Sequence, residues 1–331
     1  MARFAISFQS DKSIAEYREL AAIVERYDFQ TVSVYQDLFF QPPWPALLQF
    51  AELTSGALVG PAVVNPYLSH PVLVAGHLAM LDEVSRGRAY LGVGRGAFLE
   101  AIDVSQPRPL AAIRETVELV QRFLTGDREP YDGDIFRASA DAYLRFPIPN
   151  RALPVLIGGW GPKTLALAGE IADMVKVGGC ANPDSASVFR DYIREGAESV
   201  GRDAASIRLV YGAVTVVDRD ARIAEAVARR NVAMYVGVAG RLDPAYSVPE
   251  DEMTAIETAL ALGDEDAAAA AISSETLGRF CTYGTPRDVI RHMERLFDAG
   301  VDTFELGTPH GVSEGDAITL LGDEVLPYFE A

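Results

Sequence analysis

Lys176 sits where a charge is least expected, inside the apolar run Met174-Val175-Lys176-Val177. A cation there either pairs with a carboxylate or opens onto a polar cleft, because an isolated buried ammonium is strongly disfavoured. Glu305, in Asp302-Thr303-Phe304-Glu305-Leu306, holds a matching place in a second such run and is the available partner. A structural ion pair and a contact to substrate both remain open. His310 follows the same run and is the histidine placed to move a proton near it. His77 and His292 fall on helical stretches, where packing or surface roles are commoner, and His70 precedes Pro71 in a loop. Gly158-Gly159-Trp160-Gly161-Pro162 puts glycines where a backbone can approach a ligand, and Pro162 suits a first helical turn. A helix N-terminus there, beside Lys163, would attract an anion, although a plain tight turn has the same composition. Phe8, Tyr35, Trp44, Tyr67 and Trp160 offer flat faces to a planar substrate, or simply fill the core.

These residues need elements that bring them to one place. Strand-like runs alternate with helical ones throughout, the pattern of parallel βα units. The strands fall near 3–9, 31–35, 58–64, 89–93, 154–157, 172–177, 207–214 and 302–306. Eight such units close a (β/α)8, or TIM, barrel, and its active site is built at the carboxyl ends of the strands. That is where Tyr35, the residues after Val64, the 158–162 glycines, Lys176, Glu305 and His310 all fall. Two stretches exceed a bare repeat: a hairpin inserted near 127–146, around the turn Tyr131-Asp132-Gly133-Asp134, and an alanine-rich helical excursion near 219–280. With no Pro/Ser-rich linker and no break in charge, residues 1–331 are read as one domain. A dinucleotide Rossmann unit does not fit, because Gly92-Val93-Gly94-Arg95-Gly96 lacks the spacing and lies deep in the chain.

Composition narrows the function class. The 331 residues are 49% hydrophobic, enough for a large core. With 47 acidic against 29 basic residues the formal charge is −18, which argues against nucleic acid and anionic membranes as partners. No apolar run reaches the roughly 20 residues of a membrane span. Cys180 and Cys281, far apart and with no metal-ligand spacing, read as free thiols of a cytoplasmic protein, and no metal site is expected.

Several segments, in order along almost the whole chain, carry a resemblance. They are Gly60-Pro61-Ala62-Val63-Val64-Asn65-Pro66-Tyr67, Leu81-Asp82-Glu83-Val84-Ser85-Arg86-Gly87-Arg88, Leu91-Gly92-Val93-Gly94, Ile157-Gly158-Gly159-Trp160-Gly161-Pro162, Ala168-Gly169-Glu170-Ile171-Ala172-Asp173 and Gly284-Thr285-Pro286. Together they resemble the luciferase-like superfamily, in the branch that uses the deazaflavin coenzyme F420, and within it the methylenetetrahydromethanopterin reductases. The resemblance implies an oxidoreductase with a non-prolyl cis peptide at Ala62-Val63 behind the deazaflavin ring. It implies cofactor contacts from Gln36, Ala62, Val63, Asn65 and Gly94, and the coenzyme phosphate at Gly158, Gly159, Trp160 and Gly161. It also implies a homodimer paired through helices early in the chain. Phe8, Tyr35, Trp44 and Glu305 are then candidates for the substrate.

The sequence departs from those reductases at two carboxylates. Gln36-Asp37 stands where the family has Asp-His, and Ala97 follows Gly96 where an acid is usual. An amide still hydrogen-bonds to a ring but yields no proton near neutral pH, so proton transfer passes to Asp37, Lys176 or His310, or is absent. Four readings follow: a deazaflavin-dependent reductase or dehydrogenase of a small organic substrate, an FMN-dependent luciferase-like monooxygenase, a cofactor-binding protein without turnover, and a phosphosugar-binding barrel with non-redox chemistry.

Overall fold

Apolar residues switch repeatedly between strand and helix spacing, and the computed structural model, which describes residues 2–330, shows how those segments assemble. The chain runs β1 (Arg3–Phe8), α1 (Ile14–Val24), β2 (Thr31–Val34), α2 (Pro43–Leu53), β3 (Leu58–Pro61), α3 (Pro71–Val84), β4 (Leu91–Gly94) and α4 (Pro109–Thr125). A two-stranded antiparallel hairpin follows, β5 (Tyr131–Asp132) with β6 (Arg137–Ala138). The alternation resumes with β7 (Val155–Gly158), α5 (Pro162–Ile171), β8 (Met174–Gly178), α6 (Ala186–Ser199) and β9 (Arg208–Val217). Four helices come next, α7 (Ala221–Ala239), α8 (Glu250–Ala261), α9 (Glu265–Ala271) and α10 (Ser274–Phe280). The chain ends with β10 (Cys281–Gly284), α11 (Pro286–Asp298), β11 (Thr303–His310), α12 (Glu314–Glu324) and α13 (Leu326–Glu330).

The strands are parallel neighbours in the order β3-β2-β1-β11-β9-β8-β7-β4. Isolated parallel bridges Val59–Ala89 and Val64–Val93 join β3 to β4 and close the ring, which is the eight-stranded barrel expected. Two features depart from that expectation. β10 is an additional strand, pairing with the carboxyl-terminal half of the ten-residue β9, beyond the point where β8 stops. It was hidden because Cys281-Thr282-Tyr283-Gly284 directly abuts α10 and reads as its end. The last barrel strand also runs on to His310, with a register irregularity after Gly307 and a cis Thr308–Pro309 peptide.

Side chains alternate across each strand. Phe4, Ile6, Phe8, Val32, Val34, Val175, Val177, Leu209, Tyr211, Phe304 and Leu306 face outward and form one apolar layer with the surrounding helices. The opposite parity faces the barrel interior, where Tyr90, Leu156, Met174 and Val210 make an apolar plug with the partly buried Val63 packed on it. The charged and hydroxyl-bearing groups lie on this inward parity, toward the carboxyl ends of the strands. α7 to α10 form their own apolar cluster around Val232, Val236, Met253, Ile256 and Phe280.

Candidate functional site

The inward residues above the plug are Ser7, Ser33, Lys176, Gly212 and Glu305. Lys176 Nζ pairs with Glu305 Oε1, and both side chains are almost wholly buried. Ser33 Oγ donates to Glu305 Oε2 at 3.0 Å and lies 2.8 Å from the Tyr90 hydroxyl, which is itself 3.0 Å from the Gly60 carbonyl oxygen. Gly212 makes room for the pair, since a Cβ there would stand 2.9 Å from Lys176 Cε and 3.1 Å from Glu305 Oε1. The Lys176 ammonium also lies 4.8 Å from the centre of the Tyr35 ring, and the Tyr35 hydroxyl is 2.5 Å from Ser7 Oγ. Of the two roles open to Lys176, the structure shows the buried ion pair.

The mouth proper lies one step higher. Gln9, two residues beyond Ser7 on the same parity, donates from Nε2 to Asp37 Oδ2 at 3.1 Å. Burial pushes the Asp37 carboxyl above the usual range, although the Gln9 amide and the Lys176 charge pull it down. Burial likewise raises the Tyr35 phenol well above its ordinary value, with Tyr235, Glu305 and Asp37 adding to the effect. Tyr235 belongs to α7 and reaches back over the barrel, where its ring would stand 3.1 Å from a Cβ placed on Gly179. Burial, then Asp37 and Glu305, push its phenol upward. Two amide oxygens in this region, Gln9 Oε1 and Gln36 Oε1, are buried without any hydrogen-bond partner among the described residues. Buried polar atoms are rarely left so, and each such oxygen can accept from a donor brought by water or a ligand.

The wall at β3, β4 and β7 carries the glycines. The Ala62–Val63 peptide is cis, as the resemblance implied. The Val63 side chain fills the space that Cβ atoms on Gly94 and Gly158 would need, at 2.5 and 3.2 Å from them respectively. Val63 is only partly buried and forms an apolar platform at the top of the plug. At the end of β7, Gly161 caps α5 with an extended backbone and nothing within 4 Å of where its Cβ would lie. Pro162 and Lys163 follow in the exposed first turn of α5.

Several candidate side chains are spent elsewhere. Phe8 has outward parity, is fully buried and stacks on Phe50 of α2 at 4.8 Å, so it lies behind the barrel wall and cannot touch a substrate in the mouth. His310 is fully buried, with Nδ1 3.0 Å from Glu314 Oε1 and Nε2 3.1 Å from the Leu306 carbonyl oxygen. Each ring nitrogen therefore already faces a protein acceptor, and Lys12 caps the far side of Glu314 at 3.3 Å. Trp44 stacks on His77 at 4.6 Å, at the junction of α2 and α3. Asn65 is buried and spans the loops after β3 and β4, donating to the Arg95 carbonyl oxygen at 3.1 Å and accepting from the Tyr67 amide at 2.7 Å. The Trp160 ring is packed edge-on to Phe189, and its Nε1 donates to the Gly178 carbonyl oxygen at 2.8 Å. Glu305 is closed off beneath Lys176.

Ser7, Gln9, Ser33, Tyr90 and Tyr235 are site residues that reading of the sequence missed. Counting by two from Glu305 and Lys176 through the paired strands would have found the serines and Gln9. Nothing local marks Tyr235. Hollows of about 760 Å³ at the opposite end of the barrel, beside Arg3 and Arg208, and about 650 Å³ against α8 and α9 are roomy but hold no such unpaired buried atoms. Unsatisfied chemistry, rather than volume, singles out the barrel mouth as the candidate site.

Comparison with known proteins identifies the family. Residues 2–303 match the family described as luciferase-like monooxygenase. The 5,10-methylenetetrahydromethanopterin reductase of Archaeoglobus fulgidus is 31% identical over 332 aligned residues, covering 98% of this chain and 99% of that one. An F420-dependent glucose-6-phosphate dehydrogenase of Nakamurella multipartita is 29% identical over 57% of this chain and 59% of its own. The solved coenzyme F420-dependent tetrahydromethanopterin reductase of Methanopyrus kandleri superposes with a TM-score of 0.89 at 27% identity, covering 99% of both chains.

Proposed function

The chain belongs to the luciferase-like monooxygenase family, and from that premise we propose that it is an oxidoreductase moving a hydride between the deazaflavin coenzyme F420 and a small organic substrate. The full-length likeness to deazaflavin-dependent reductases supports the cofactor. Within the chain itself, the observation that carries the reading is a partly exposed apolar platform, Val63 held by Gly94 and Gly158, in a mouth with two unpaired buried amide oxygens. Such a site suits a flat ring that has an apolar face and a polar edge bearing N–H donors. Bound there, the deazaflavin supplies a two-electron hydride acceptor or donor. Val63 would support the ring face, Gln36 would accept from the polar edge, and the open α5 N-terminus at Gly161 with Lys163 would hold the phosphate.

Asp37 is the carboxyl in this mouth whose environment favours holding a proton, and it takes the acid and base role here. Gln36 and Ala97 stand where the resembling reductases have acids, so little methylenetetrahydromethanopterin reductase activity is expected. Titration of the purified protein with F420 and with FMN tests the reading. Tight binding of the deazaflavin with two-electron turnover supports it, whereas binding of reduced FMN with oxygen consumption would replace it with the monooxygenase reading. Binding without turnover would leave a carrier. Gln36→Asp combined with Ala97→Asp should keep cofactor affinity and gain pterin reduction.

The protein is also proposed to be a cytoplasmic homodimer. Leu73, Met80 and Val84 share one exposed face of α3, next to exposed Leu68 and Phe146, and a second copy would cover that apolar surface. Both cysteines are free and buried, in keeping with a reducing compartment, and among the described residues no helix is long and apolar enough to cross a membrane.

A further inference from the structure

The Gln9 side chain makes one hydrogen bond and leaves one group unpaired, and the combination has a chemical consequence. Its Nε2 donates to Asp37 Oδ2 at 3.1 Å, while its Oε1 is buried and without a partner. An ionised carboxylate only accepts hydrogen bonds, so it draws the NH2 end of a facing amide and turns the amide oxygen away. A neutral carboxyl has an O–H to donate and draws the oxygen end, which turns the NH2 away. We propose that Gln9 is the positioning residue of the mouth: by turning over with the protonation of Asp37, it switches the free amide group from a hydrogen-bond acceptor to a donor.

This deepens the proposed function and rests on it for the identity of the chemistry, because the switch fits a substrate couple of one kind. With Asp37 ionised, Gln9 Oε1 receives the O–H of an alcohol or the N–H of an amine. Oxidation of an alcohol then breaks the carbinol C–H and O–H bonds. A deazaflavin bound in the mouth would take the hydride with its electron pair, Asp37 would take the hydroxyl proton, and a C=O double bond would remain. Asp37 is now neutral, Gln9 presents NH2, and the carbonyl product meets the donor it requires. Reduction of a carbonyl or imine runs the same steps backwards. A substrate whose polar group does not change from donor to acceptor would gain nothing from this arrangement.

The groups facing Asp37 allow its charge to change. Lys176 of β8 lowers its proton affinity but is already paired with Glu305 of β11. Tyr235 of α7 and Tyr35, just after β2, face it as phenols raised by burial, so both stay neutral while Asp37 titrates. Gln9, just after β1, is its one hydrogen-bond donor among the described side chains.

Two measurements test the proposal. In the protein without cofactor, carboxyl-carbon NMR, with Asp37→Asn to assign the signal, should show Asp37 titrating above the ordinary range, and Gln9→Met should move its midpoint further up. With the deazaflavin bound, cyclohexanol should bind more tightly above that midpoint and cyclohexanone below it. Gln9→Met should flatten both trends by about fivefold in affinity, the worth of one ordinary hydrogen bond. Should Gln9→Met fail to fold, Gln9→Asn keeps the amide but withdraws it from reach and should act alike. An unmoved Asp37 midpoint in a folded variant, or opposite pH trends that survive loss of the amide, would overturn the proposal. Failure to bind any deazaflavin would instead sink the proposed function, and the NMR measurement would still decide whether Gln9 and Asp37 are coupled.

Discussion

Replacing Glu305 by Gln would leave the Lys176 ammonium inside the barrel with no counter-charge, and the cost can be worked from its surroundings. Both side chains of the pair are nearly inaccessible to water, and Glu305 is the hydrogen-bond acceptor found for the ammonium among the described residues. Breaking a pair of this kind by removing one partner costs about 3–5 kcal/mol, because the remaining charge stays desolvated. For 331 residues, at about 2.1 cal/mol/K per residue, the entropy of unfolding near 60 °C is roughly 0.7 kcal/mol/K. Glu305→Gln should therefore lower Tm by about 4–7 °C. Lys176→Met together with Glu305→Leu should recover most of that loss, since an apolar pair of similar volume removes both desolvation penalties. Ser33, having lost Glu305 as acceptor, can turn its hydroxyl to Tyr90 at 2.8 Å. The assay is thermal unfolding at one scan rate of wild type, Glu305→Gln, Lys176→Met, Glu305→Leu and the double variant, the last three completing a double-mutant cycle with wild type. If Glu305→Gln shifted Tm by less than a degree, Lys176 would have water or another partner. A double variant as unstable as the sum of the singles would show that the pair is not the source of the penalty.

Because burial raises the folded proton affinity of Asp37, ionised Asp37 weakens the fold as pH rises from the ordinary aspartate range through the folded midpoint. Asp37→Asn should thus be more stable than wild type at pH 8, with a gap that closes toward pH 4; an equal gap at both values in unfolding scans would refute this. His292, whose Nε2 lies 2.8 Å from the Ala181 carbonyl oxygen, is depressed to about 4, by burial first. Its contribution is complete above the unfolded value of about 6.5 and is lost as pH falls toward 4, amounting to roughly 3 kcal/mol at 1.36 kcal/mol per tenfold change in proton affinity. Urea titrations of wild type and His292→Gln from pH 8 to pH 4 should converge by that order, and parallel curves would count against it. Gly161→Asp meets open space and should fold normally, yet lower deazaflavin affinity at least about tenfold by placing a carboxylate at the phosphate end, while Gly161→Ala should bind normally. Unchanged affinity of the aspartate variant in a fluorescence titration would put the phosphate elsewhere.

How much of this was legible beforehand depended on distance along the chain. Alternating strand and helix signals announced the barrel, and a lysine inside Met174-Val175-Lys176-Val177 announced a partner, because both are consequences of local spacing and of the cost of burying charge. Phe8 and His310 lie away from the mouth for reasons of parity and of partnership. Phe8 is one residue from the inward Ser7, and a single-residue step in a strand reverses the face. His310 lies on the right strand but is closed off by Glu314 from the following helix. Local pattern could not reveal β10, since its apolar residues directly extend those of α10 and its pairing partner β9 is remote in sequence. Least legible were Tyr235 reaching from α7 to Asp37 and the two amide oxygens left without partners. The sequence by itself determined the barrel, the strand ends at which chemistry could gather, and the absence of two expected acids. Only the tertiary structure decided which side chains share the mouth, because that depends on strand register and on a helix folding back from outside the repeat, and neither leaves a trace in local spacing.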